Sequence, residues 1–283
     1  MQTKIIDSHV HIWDFNRARY DWLKNDTSIL NRNYLVEEYN AARKEAGVSE
    51  AVLVQAANNF EDTDHMLEAA VSNEWISGVV GWLPLMDPVQ TLNVLQNKYI
   101  NNKYFKGVRH LIHDEPDARW LLQSTVMESL KTVAEHNLCY DVVGVLPEHI
   151  ETAMEVADKL PDLKMVFDHI NQPPISTKEK FGVWGQLMKE AAGNSNLYCK
   201  ISGLGNTSKN INWTAANIKP YIEFVLENFG VERCFCGGDW PVSLLAGDLK
   251  NTWQVYIEAI TSLLTEADQE KVFYSNAQKF YKL

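Results

Sequence analysis

The sequence of 283 residues is short of the features that mark several large protein classes. Its four cysteines, Cys139, Cys199, Cys234 and Cys236, show no C-x-x-C spacing. They fit neither a disulfide framework nor a zinc knuckle, and are expected as buried, reduced thiols in a cytoplasmic protein. There is no Lys/Arg cluster: 26 basic against 37 acidic residues give a formal charge of −11. Neither nucleic acid nor an anionic membrane surface is therefore expected as a partner, whereas small neutral or anionic molecules remain open. No stretch approaches the roughly 20 apolar residues of a membrane span, and the longest candidate, Ile76–Met86, is interrupted by Pro84. Met1–Asp7 lacks a basic segment followed by an apolar core, so no signal peptide is expected. G-x-G-x-x-G, G-K-[ST] and G-x-S-x-G are all absent, which removes the dinucleotide, nucleotide-phosphate and serine-hydrolase signatures. No low-complexity or Pro/Gly/Ser linker divides the chain, so residues 1–283 are expected to form one domain.

What the chain does have is alternation. Short apolar runs occur at Lys4–Ile12, Ala51–Gln55, Gly78–Leu83, Lys106–Ile112, Leu138–Val143, Lys164–Ile170, Leu197–Ser202 and Arg233–Gly237. Several are apolar at consecutive positions, as in strands buried on both faces. Between them lie helix-like stretches: Val36–Ala46 before Gly47, Asp62–Ser72, a helix opened by Asp87-Pro88, Val126–His136, Pro147–Leu160, Lys178–Ala192, Thr214–Phe229 and Asn251–Leu264, with Glu266–Tyr281 closing the chain. Eight strand–helix units joined by right-handed crossovers in this length predict an α/β fold, a TIM-like (β/α)8 barrel. An open doubly wound sheet is the alternative, and the lack of a phosphate loop after the first strand disfavours it.

Functional groups of such a barrel gather at the C-terminal ends of the strands. The first run ends Asp7-Ser8-His9-Val10-His11, and the alternation of a strand sends His9 and His11 to one side, where they can share an ion or grip a carbonyl. The sixth ends Asp168-His169, and the eighth ends Gly237-Gly238-Asp239-Trp240-Pro241, whose carboxylate is a candidate base or metal ligand, or else a turn Asp. The fourth supplies Arg109 and His110, followed by His113-Asp114-Glu115. Arg109 is a candidate for an anionic or polyhydroxylated substrate, or for a barrel salt bridge. Lys200, an ion inside an apolar run, should pair with a carboxylate, because an unpaired buried charge is costly. Gln55 and Trp82 end the second and third runs and are expected to shape the pocket. His65, His136 and His149 fall in helical stretches or at their edges and are expected on the surface.

These segments are recognisable in order. Asp7-Ser8-His9-Val10-His11-Ile12-Trp13-Asp14, Arg19-Tyr20-Asp21-Trp22-Leu23, Gly107-Val108-Arg109-His110, Asp168-His169, Cys199-Lys200-Ile201-Ser202-Gly203-Leu204, Gly238-Asp239-Trp240-Pro241-Val242 and Asn276-Ala277 resemble the sugar-lactone hydrolases of the amidohydrolase superfamily, the L-fuconolactonase and L-rhamnonolactonase type. The resemblance spans essentially the whole chain. It implies a distorted barrel and hydrolysis of a cyclic ester, with Asp239 as base and His9, His11 and His169 as its catalytic partners. It also implies at most one divalent ion, zinc by preference, on His9, His11, His169 and Asp239, with metal-free catalysis left open. The fifth strand carries Cys139-Tyr140-Asp141 where metal-binding superfamily members often place a His, which argues against a binuclear centre and leaves Tyr140 and Asp141 as groups expected to bond sugar hydroxyls. Arg109, His110, Lys200, Gln55, Trp82, Tyr140 and Trp240 are the expected substrate contacts. The expected partner is a small sugar lactone, with homo-oligomerisation left open. The alternatives are an aromatic or muconate-type lactonase, a metal-dependent decarboxylase of the same superfamily, or a binding protein on a barrel without activity.

Overall fold

The computed structural model describes residues 4–177 and 180–283. Eight parallel strands run in sequence order: β1 (Ile6–Val10), β2 (Glu50–Val54), β3 (Ile76–Gly81), β4 (Phe105–His110), β5 (Cys139–Val142), β6 (Met165–Phe167), β7 (Leu197–Ile201) and β8 (Cys234–Cys236). The ring closes beyond β8, where Val10 bridges Trp240, Asp239 donates its N–H to the His9 carbonyl at 2.8 Å and His11 donates to the Trp240 carbonyl at 2.7 Å. The result is the expected (β/α)8 barrel, distorted in that its last junction is made by a loop rather than a strand.

The helices are α1 (Val36–Ala46), α2 (Phe60–Ser72), α3 (Pro88–Val94), α4 (Ser124–Glu135), α5 (Pro147–Lys159), α6 (Gly182–Ala191), α7 (Leu204–Ser208), α8 (Ala215–Phe229), α9 (Leu249–Thr261), α10 (Glu266–Glu270) and α11 (Asn276–Tyr281). Local chemistry explains their starts and stops. Asp87 accepts from the Gln90 N–H with Pro88 in the first turn of α3, and Gly47 ends α1 at a φ of 77°. Asn59 caps α2 two residues earlier than the apolar spacing suggests, and Asp248 does the same for α9. The expected helix 178–192 begins at Gly182, and its first two positions, 178 and 179, lie outside the described residues. The expected helix 266–281 is two helices joined by a π-helical turn at Lys271–Ser275.

Side chains pointing into the barrel, Ile6, Val52, Val54, Val80, Cys139, Val166 and Phe235, form one cluster with Ala277, Phe280 and Tyr281 of α11, so this last helix packs against the barrel interior. The opposite faces of the strands, with Leu53, Val79, Val108 and Ile201 among them, meet the helices in the main core. One surface expectation is corrected: His149 is buried, because its Nδ1 accepts from the Val145 and Leu146 N–H groups at the start of α5. His65 and His136 are half-buried.

The loop after β2 is tied down by Asp62, which accepts from the Ala56 and Ala57 N–H groups at 2.8 and 3.2 Å and from the Tyr20 hydroxyl at 2.8 Å. Burial nevertheless pushes its carboxyl up to about 6, against these bonds. An acid whose folded-state pKa exceeds its unfolded value lends stability that is complete at low pH and is lost as pH rises through that window, here from about 4 to about 6. Asp62→Asn can keep the contact to Tyr20 but does not titrate. The melting temperature of the variant minus that of the wild type should therefore rise between pH 4 and pH 7; a constant or shrinking difference would contradict this account of Asp62.

Candidate active site

The strand period places His9 and His11 on one side of β1, with their Nε2 atoms 3.1 Å apart. His11 Nδ1 lies 2.7 Å from the Val54 carbonyl, to which it can only donate, so its Nε2 keeps a lone pair. Asp239 arrives from the β8 end. Asp7 accepts the Gly238 N–H at 2.6 Å, and a Cβ on Gly237 would sit 2.6 Å from the His9 Cβ, so the glycine permits the close approach of this loop to β1. Asp239 itself has a φ of 57°, a left-handed conformation uncommon outside glycine. His169 to Gln172 also adopt left-handed φ values in succession. Strained backbone of this kind gathers at functional sites. Its effect here is to swing His169 inward, where Ser202 Oγ lies 2.9 Å from Nδ1.

Four groups thus converge. Asp239 Oδ1 is 3.6 Å from His11 Nε2, 3.8 Å from His9 Nε2 and 4.0 Å from His169 Nε2. Below them is an ion network. Lys200 Nζ is 2.5 Å from Asp141 Oδ2, 2.8 Å from Asp168 Oδ1 and 3.1 Å from His9 Nδ1, all fully buried. Arg109 Nη1 pairs with Asp168 Oδ2 at 3.1 Å and lies 3.3 Å from His9 Nε2, while its Nη2 donates to the Gln55 carbonyl. Burial would raise the Asp168 carboxyl, but Lys200, His9 and Arg109 together hold it well below the usual carboxylate range. Burial pushes His11 below the ordinary imidazole value, with Asp239 opposing.

The group opens into a cavity of about 550 Å³ at the C-terminal end of the barrel. His11, Arg109, His169 and Asp239 form its floor, Trp22, Val143, Pro173 and Pro174 supply apolar wall, and His113, Asp114, Asn206 and Lys209 supply polar wall. The donor set suits one divalent ion: His9, His169 and Asp239 each offer an atom within 4.8 Å of the others, and His11 adds an imidazole nitrogen 3.1 Å from that of His9. His9, Asp141 and Asp168 are equally close together, but the Lys200 ammonium already stands among them, so that cluster offers no second ion site.

The model of the family described as Amidohydrolase matches residues 6–283. The chain belongs to the amidohydrolase family. It is 28% identical to the L-fucono-1,5-lactonase of Burkholderia ambifaria over 98% of this chain and 95% of that one. Identity to the L-rhamnono-gamma-lactonase of Scheffersomyces stipitis is 27%, over 63% of this chain and 59% of the other. A crystal structure of an amidohydrolase from Burkholderia multivorans with bound zinc superposes with a TM-score of 0.89 at 25% identity, covering 99% of each chain.

In this amidohydrolase the residues singled out from sequence fall into two sets. His11, His169, Asp239 and Arg109 face the cavity, with His9 directly beneath. The other expected substrate contacts are not among the described residues that line it. Lys200 and Gln55 are fully buried supports of His9 and Arg109. Tyr140 is fully buried in β5, and Asp141 bonds Lys200 and Tyr281 rather than a sugar. Trp240 is wedged between Tyr34 and Tyr39. His110 stacks on Trp120, faces Glu115 at 2.7 Å and accepts from the half-buried Trp82 indole at 3.0 Å. Asp168, whose place in the network no strand pattern reveals, and the wall residues Trp22, Gln172, Asn206 and Lys209 are the additions the structure makes. Among the described residues no helix is long and apolar enough to cross a membrane.

Proposed function

We propose that this amidohydrolase opens a sugar-derived lactone, of the L-fuconolactone or L-rhamnonolactone kind, to the aldonic acid. The observation that carries the reading is the Asp239 carboxylate standing among three imidazoles on the floor of a cavity with little free positive charge. Arg109 and Lys209 are the Lys and Arg residues among the described lining groups. Arg109 is already committed to Asp168 and Gln55, and Asp114 shares the polar wall with Lys209. A dicarboxylate would meet two carboxylates and one uncommitted ammonium, whereas a neutral, hydroxylated ring meets donors, acceptors and the apolar faces of Trp22 and the two prolines. The lactonase names of the curated relatives support the same class.

Asp239 takes a proton from water as the oxygen attacks the lactone carbonyl, and returns it to the ring oxygen as the C–O bond breaks. Arg109, held rigid by its own partners, and His169 face the carbonyl oxygen as negative charge develops there. His11 Nε2 lies 3.6 Å from Asp239, and its lone pair can accept a hydrogen bond from the same water. A divalent ion, when held by His9, His11, His169 and Asp239, would add polarisation of the carbonyl.

Initial rates on a panel test the reading. Five- and six-membered L-aldonolactones should turn over faster than amides, phosphoesters or aromatic acids; CO₂ release from an aromatic acid without lactone turnover would replace it with the decarboxylase. A separate expectation concerns metal content. Elemental analysis should find at most one ion per chain, lowered by His9→Ala, and two tightly held ions would contradict the role given to Lys200 below His9.

A further inference from the structure

Lactone hydrolysis changes the charge of the ligand: a neutral ring and water give one carboxylate and one proton, and the proton passes to solvent. The Asp, Lys and Arg residues among the described lining groups are Asp114, Asp239, Arg109 and Lys209. Arg109 is held by Asp168 and Gln55. Lys209 is exposed, and among the described residues its ammonium has no ion pair or hydrogen bond. The backbone fixes its place in the wall. Lys209 ends α7 at a φ of 52°, a left-handed conformation that favours glycine or asparagine. Its N–H donates to the Asn206 carbonyl at 3.0 Å, and Asn206 Nδ2 donates to the Val242 carbonyl at 2.9 Å. Ser208 Oγ donates to the Gly205 carbonyl at 2.6 Å and accepts from the Asn210 N–H at 3.3 Å. A lysine is thus kept at a position that disfavours its backbone, between the active cavity and a second hollow of about 270 Å³ lined also by Asn210, Ile211 and Leu245.

We propose that Lys209 binds the carboxylate of the sugar acid that the reaction forms, so that this one ammonium distinguishes the anionic product from the neutral substrate. The inference rests on the lactonase reading and adds a residue that acts on the product alone. One new negative charge meets one uncommitted cation. The carboxylate forms beside Asp239, which repels it, and the opened chain is free to turn that end toward the rim. The protein as a whole carries −11, so its general field also opposes an anion, and Lys209 is a local exception to it. Because the ammonium is exposed, its hold on the carboxylate is that of a surface ion pair, modest and screened by salt. A lysine that served only to complement the C-terminal end of α7 would affect folding stability and leave ligand binding untouched.

The test is calorimetric titration with the sugar acids L-fuconate and L-rhamnonate and with the corresponding neutral rings, L-fucose and L-rhamnose. The unaltered protein is compared with Lys209→Arg, Lys209→Met and Lys209→Glu at equal metal content. Affinity for the acid should be kept in Lys209→Arg, fall by about three- to fivefold in Lys209→Met, the upper part of the range of an exposed ion pair, and fall further in Lys209→Glu. Affinity for the neutral ring should change by less than about twofold throughout, since it has no charge to lose. Added salt should weaken acid binding to the unaltered protein more than to Lys209→Met. Equal losses for acid and ring would make Lys209 a ring contact and overturn the proposal. A shift in melting temperature with unchanged acid affinity would make it a helix-end cation and overturn it too. If no acid or ring binds the unaltered protein, the lactonase reading falls together with this inference. If both bind and acid affinity ignores the charge at position 209, this inference falls alone.

Discussion

Asp239→Asn should lower kcat for lactone hydrolysis by about 10²- to 10⁴-fold, the usual contribution of a positioned general base, while the protein remains folded. The amide keeps the size of the carboxylate and can stand in the same place among the imidazoles 3.6 to 4.0 Å away. It cannot take a proton from water. Folding should survive because the loop is held by backbone bonds, from the Asp239 N–H to His9 and from His11 to Trp240, and by Asp7 on Gly238, none of which uses the Asp239 side chain. The comparison that isolates the base is kcat against KM. A loss confined to kcat assigns proton transfer to Asp239, whereas an equal rise in KM with kcat unchanged would make it a binding group. Retention of more than about a tenth of wild-type kcat would remove the base role, since a base contributes well over tenfold.

How much of this was legible without coordinates depended on whether a signal was periodic. The barrel was, because eight apolar runs separated by capped amphipathic stretches leave few topologies. The pairing of His9 with His11 followed from the two-residue period of a strand, and the two glycines before Asp239 marked a close backbone approach. The cost of a buried ammonium told that Lys200 needs a carboxylate, but not which one. Asp168 carries no such mark: strand alternation would send it and His169 to opposite sides, but β6 ends at Phe167, and the left-handed turn at His169 lets both residues face inward. Tyr140 and Asp141 were expected at the mouth, yet they sit beneath it, since depth along a barrel strand leaves no mark in sequence. The cavity walls come from Gln172–Ser176 and Asn206–Lys209, loop and short-helix segments with no periodicity to read.

The largest stability effect should come from Lys200. Its ammonium is fully buried between Asp141 and Asp168, at 2.5 and 2.8 Å. Burial alone would lower its pKa, but the two carboxylates hold it above the ordinary lysine value, so it is the charged partner on which both depend. Lys200→Met leaves Asp141 without its cation and Asp168 with Arg109 alone. Removing one partner of a buried pair typically costs about 3–5 kcal/mol, which for a chain of this size is a fall in melting temperature on the order of 10 °C. Much of the loss is the penalty for the carboxylate left behind rather than the worth of the pair, and this gives the prediction its second arm. Adding Asp141→Asn to Lys200→Met removes that stranded charge while leaving an amide for the Tyr281 hydroxyl, 2.9 Å from Asp141 Oδ2. Most of the stability should return. Adding Asp168→Asn instead should return less, because Arg109, still charged and buried, then loses its carboxylate. Urea unfolding of the single and the two double variants separates these outcomes. A single variant within about 1 kcal/mol of wild type would mean that the ion network contributes no more than a surface salt bridge does. Equal recovery by the two double variants would mean that Asp141 and Asp168 are interchangeable, and the division of labour between Lys200 and Arg109 would fall with it.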